Sequence, residues 1–177
     1  MLPFPPPQGL HPLVVHFPIA LLCTASLFLL AAVALSRWRG TLTFAAFALV
    51  VLGTIGTYVA VSTGEQSEPN VDRVPDAEGT LDEHEGSAED TRNYFTVLTL
   101  AFGVALLAAR KLAGRVTWTI ALAVLLVAHA YGVLLLTRTA HLGGLLVHEF
   151  GVRAPQTVDS DFERESGRGG HGDEDLD

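Results

Sequence analysis

A chain of 177 residues with 49% apolar and only 17% charged side chains, at a mean hydropathy of +0.38, is too apolar for an average soluble domain. Its formal net charge of −8 argues against nucleic acid as a partner, which requires a basic patch. One cysteine, Cys23, makes an internal disulfide impossible, and the absence of CxxC and CxxCH removes a thiolate zinc site and a covalent c-type haem.

The first residues, MLPFPPPQGL, carry no positive region before the apolar run and so make a poor signal peptide. Residues 1–10 are expected to be retained as a stiff, extended lead-in. Four apolar runs then follow, near Pro12 to Ser36, Thr41 to Thr63, Asn93 to Leu112 and Val116 to Thr137. Each is close to the 20 or so residues that a helix needs to cross roughly 30 Å of hydrocarbon. Strand alternation is absent, so the expected fold is all-α: an integral membrane four-helix up-down bundle occupying residues 11–153.

In the first span, Pro12 suits the first helical position, whereas Pro18 deprives the Val14 carbonyl of its partner and should kink the helix beside His16. The second span holds Gly53, Gly56 and Ala60 among Thr54, Thr57 and Tyr58, a pattern that permits close helix approach in lipid. The loop 64–92 is acidic until Thr80-Leu81-Asp82-Glu83, which has the form of a capping box and predicts a helix carrying His84 above the membrane. Beyond the fourth span, Arg138 to Val152 mixes apolar residues with His141 and His148 and reads as an interfacial or re-entrant segment. Residues 154–177, polar, acidic and rich in glycine, should be a disordered tail.

Arg37 and Arg39 lie in the first short hairpin, and Arg110, Lys111 and Arg115 in the last, which assigns both to the cytoplasm. All 19 Asp and Glu fall in the 64–92 loop or after Thr137. Both termini are therefore expected outside.

All seven histidines belong to the outer half of this topology. His16 and His129 lie within spans, roughly 7 and 12 Å deep, where an ionisable group is a functional candidate by default. His11 and His16 are about 140° apart around a helix, and His141 and His148 about 10 Å apart along one, so neither pair ligates an ion unaided. Ligands supplied one per helix suit a haem iron, whose usual axial partner is neutral imidazole. The expected axial pair is His16 and His129, with His84 or His141 as replacement for either and His11 at the interface; Gly56, Tyr58 and Gly132 would border the macrocycle. No hydrolytic triad or phosphate-cradling loop is present.

The opening HPLVVHFPIALL (His11 to Leu22), taken with the closing AHLGGLLVHEFGV (Ala140 to Val152), resembles DUF family 2231, small bacterial four-helix membrane proteins of unknown function. His11, Pro12, His16 and Pro18 match its opening; Gly143, Gly144, Leu146, Val147 and Gly151 match its closing. The family is similar to the superfamily of haem-b-binding four-helix membrane cytochromes, which implies haem b. Those cytochromes often hold haems near both membrane faces, whereas the cytoplasmic half here lacks histidine, leaving at most an outer site. The resulting expectation is a b-type cytochrome-like subunit of the bacterial inner membrane, a redox carrier or accessory subunit transferring electrons near the outer face. It would sit in the lipid bilayer, within a larger membrane complex or beside a redox partner on the outer side. The alternative is a non-catalytic subunit or scaffold whose acidic outer segments bind a partner.

Overall fold

The computed structural model describes residues 10–66, 74, 77–109 and 114–152. The lead-in 1–9, the tail with His171, and Arg110 and Lys111 lie outside the described residues. Within them the chain forms helices α1 (His11–Val14), α2 (His16–Ala34), α3 (Arg39–Glu65), α4 (Glu78–Ala109) and α5 (Arg115–His148). The helices α2, α3, α4 and α5 each pack on the next, and α5 packs back on α2, closing a four-helix ring.

Four helical stretches, counting α1 and α2 as one, are long and apolar enough to cross a membrane. No more than 33% of any span's most apolar window is buried inside the protein. The outward residues, such as Leu27, Phe44, Val97, Leu100 and Val127, are themselves large and apolar. Such a surface is stable only against lipid.

The first span is interrupted at Val15, three residues before Pro18. Pro18 is buried, and Gly56 of α3 gives it room: a Cβ on Gly56 would lie 3.1 Å from the Pro18 ring. Helix α4 runs unbroken through Gly86 and begins at Glu78, ahead of the capping box. The segment after Thr137, expected as a separate interfacial or re-entrant piece, is instead the continuation of α5 to His148. At 32 and 34 residues, α4 and α5 are about 48 and 51 Å long, well beyond the hydrocarbon thickness. Their polar extensions meet at the end of the bundle where α1 begins and α3 ends. Gly151, at φ 67°, then turns the chain so that the Val152 N–H donates to the Leu146 carbonyl at 3.0 Å. A satellite core of Ala77, Leu81 and Leu146, with Val74, Phe150 and Val152 against it, covers this end.

Mid-bundle, one layer joins all four long helices. The Leu22 side chain of α2 fills the space left by Gly53 of α3. Its carbonyl accepts a hydrogen bond from His129 Nε2 of α5 at 2.9 Å. The His129 ring packs edge-on against Phe95 of α4, centre to centre 5.6 Å, and Phe95 with Tyr94 occupies the room left by Gly132. The Tyr94 hydroxyl donates to the Ala128 carbonyl at 2.7 Å, and Thr54 and Thr99 share a hydroxyl bond at 2.8 Å. Such bonds matter in lipid because helix association there has no hydrophobic driving force.

A Cβ at position 132 would lie 2.8 Å from the Phe95 ring, and Phe95 is fully buried. Gly132→Ala is therefore expected to lower stability by about 1–3 kcal/mol through overpacking, read as a lower thermal unfolding midpoint in detergent. An unchanged midpoint would show that this layer is loose.

Candidate functional site

The end of the bundle capped by the satellite core encloses a cavity of about 870 Å³, within the range of small-molecule and cofactor sites. His11, His16, His84 and His148 line it. Its lining includes Glu65, Asp82, Glu85 and Glu89 and, among the described residues, no Lys or Arg. Glu89 pairs with Arg92 at 3.3 Å.

Two of these histidines face each other. His11, at the start of α1, donates from Nδ1 to the Ala60 carbonyl of α3 at 3.0 Å, with the Thr63 hydroxyl 3.2 Å away. His84, in the first turns of α4, donates from Nδ1 to the Thr139 carbonyl of α5 at 3.0 Å. A carbonyl only accepts, so each Nδ1 carries the proton and each Nε2 is left as the basic nitrogen of a neutral ring. The ring centres are 6.5 Å apart and the planes stand at 84°.

The acceptor for His84 is itself fixed. The Thr139 hydroxyl donates to the backbone carbonyls of Ser87 and Leu135, at 3.0 and 3.1 Å. Its oxygen must then accept from the Ser87 and Thr91 hydroxyls, at 2.8 and 3.0 Å. Ser87 and Thr91 are both buried, so this node locks α4 to α5 beside the cavity.

The remaining expected site residues do not join this pair, although His16 lines the same cavity. His16 is exposed and bonds the Pro12 carbonyl of its own helix at 2.6 Å. His129 is 1% exposed, bonded to Leu22, and its Nδ1 has no partner in the protein. The structure thus seats His16 and His129 in different surroundings; the pair it brings together is His11 and His84. His141 is exposed and does not line the cavity. Gly56 and Gly132 receive Pro18 and the Tyr94–Phe95 rings. Tyr58 is half exposed, its hydroxyl on Thr96 at 3.0 Å and the Arg92 guanidinium 5.6 Å above its ring. Among the described residues no three His, Cys, Asp or Glu converge closely enough to hold a small metal ion.

A family model described as a predicted membrane protein, DUF2231, matches residues 7–156. The chain belongs to the DUF2231 family. No curated protein and no solved structure matches it. The matched DUF2231 region contains both imidazoles, both carbonyl acceptors and the whole of the Thr139 node.

Thr139→Val keeps the carbonyl that holds His84 but strands the Ser87 and Thr91 hydroxyls. A loss of about 1–3 kcal/mol is expected, measured by unfolding in detergent. Combined with Ser87→Ala, the losses should be less than additive, since both remove the same bond.

Proposed function

We propose that this DUF2231 protein is a b-type cytochrome-like subunit of the bacterial inner membrane, in which His11 and His84 would hold a haem near the outer face. The observation that carries this reading is the facing pair, 6.5 Å between ring centres, at the wall of a cavity of about 870 Å³. Two imidazoles are too few for a tetrahedral zinc site but complete the coordination of a haem iron. The Nδ1 bonds to Ala60 and Thr139 carbonyls are the kind of outer support that fixes tautomer and ring orientation in metal-ligating histidines. The short basic hairpin with Arg37 and Arg39, at the opposite end of the bundle, supports the reading in which the histidine end is on the outer side.

Bound there, the haem iron would supply one-electron exchange between its ferric and ferrous states. The chain's own part would be to fix the tautomer and position of both imidazoles through their Nδ1 bonds. The carboxylate rim favours a cationic centre and disfavours propionates, leaving His16 and His148 as the lining groups suited to those. The outer carboxylates also suit a basic redox partner, or a larger membrane complex presenting one.

A second reading is favoured by one observation: His11, His84 and His129 each bond a carbonyl of another helix. In that reading the imidazoles are structural staples of a non-catalytic subunit.

Purified protein, as isolated or after addition of haemin, should show a reducible Soret band. His11→Ala and His84→Ala should abolish it, and His141→Ala, at an exposed residue that does not line the cavity, should retain it. A wild-type protein that stays colourless with haemin present overturns the cytochrome reading and leaves the staple reading.

A further inference from the structure

The two facing histidines are held by one device used twice. The Ala60 carbonyl takes the His11 proton, and four residues later Gly64 gives that ring its space: a Cβ on Gly64 would lie 3.3 Å from His11 Cε1. The Thr139 carbonyl takes the His84 proton, and four residues later comes Gly143, whose Cβ would lie 3.0 Å from His84 Cε1. In an α-helix each Cα–Cβ bond leans toward the N-terminus, so a side chain at position i+4 covers the carbonyl of residue i. Glycine at that place uncovers the carbonyl and lets a ring from a neighbouring helix reach it. The same arrangement therefore ties the start of the first span to the end of the second, and the start of the third to the end of the fourth.

We propose that Gly64 and Gly143 are the positioning residues of a duplicated imidazole cradle, Ala60 with Gly64 for His11 and Thr139 with Gly143 for His84. The cradle fixes both rings as Nδ1–H tautomers, so that the nitrogen each ring has available to a ligand is Nε2. It rests on the haem reading only for the identity of that ligand. Neighbouring Gly144 supplies an internal comparison, because it also lines the cavity yet a Cβ there would meet nothing within 4 Å.

The test uses the full chain in detergent with ¹⁵N-labelled histidine. In the wild type, nitrogen shifts should assign both His11 and His84 as Nδ1–H tautomers. Gly143→Ala should disturb His84, Gly64→Ala should disturb His11 to a smaller degree, and Gly144→Ala should disturb neither. With haemin as the probe, Gly143→Ala is expected to weaken binding by about 10–100-fold and to convert a six-coordinate low-spin spectrum into a high-spin one, while Gly144→Ala keeps wild-type behaviour. A wild-type His84 found as the Nε2–H tautomer overturns the cradle without recourse to any variant. So does a Gly143→Ala protein indistinguishable from Gly144→Ala in shifts and spin state. If wild type takes no haemin but Gly143→Ala still displaces the His84 tautomer, the cradle stands and the cytochrome reading falls.

Discussion

The bond from His129 to the Leu22 carbonyl sets the register on which everything at the histidine end depends. Lipid offers no water to a polar group and no hydrophobic gain to helix association, so contact between helices must come from packing and interhelical hydrogen bonds. A carbonyl already engaged in its helix ladder has a second lone pair, and His129 takes that of Leu22 at 2.9 Å across the bundle. Around this bond Gly53 receives Leu22, Phe95 receives the imidazole, and Gly132 receives Phe95. Sliding α5 by a turn, about 5.4 Å, would break its bond to Leu22 and both of its contacts with Phe95 at once. His11 and His84, on separate helices, can face each other at 6.5 Å only while that register holds.

The histidines thus divide by depth into two tasks. His129 is consumed by the core: its Nε2 is bonded, its ring is packed, and its unpartnered Nδ1 is a local cost that the rest of the layer offsets. His11 and His84 line the cavity and bond the fold through Nδ1. A ring that ties helices together and a ring that binds a ligand are not alternatives, because the two nitrogens of neutral imidazole are independent.

The four spans, the all-helical bundle and the concentration of histidines at one end were legible in the sequence because length and hydropathy report directly on crossing a bilayer. The structure buries His129 within a helix long and apolar enough to cross a membrane. What sequence spacing leaves open is azimuth. His16 and His129 looked like partners from their depths, but His16 turns to Pro12 of its own helix and His129 to Leu22. The decisive signals were small-xxx-Gly spacings, Ala60 to Gly64 and Thr139 to Gly143, whose meaning appears only once a ring from another helix is seen over the exposed carbonyl. Gly56 and Gly132 looked equally suited to a macrocycle, and close packing claims both. Similarly, the mixture of leucines and histidines after Thr137 resembled an interfacial helix because a helix protruding from lipid has the same composition.

The apolar cluster that roofs the cavity has a consequence for dynamics. Ala77, Leu81 and Leu146 form a group separate from the main core, with Val74, Phe150 and Val152 completing it. Apolar groups that share no contacts with the principal core open as their own cooperative unit, at a free energy below that of global unfolding. The roof can therefore melt and re-form while the four spans, held by the Leu22 to His129 layer, stay assembled. Backbone amides at this end of α4 and α5 then exchange ahead of those in the Leu22 to His129 layer.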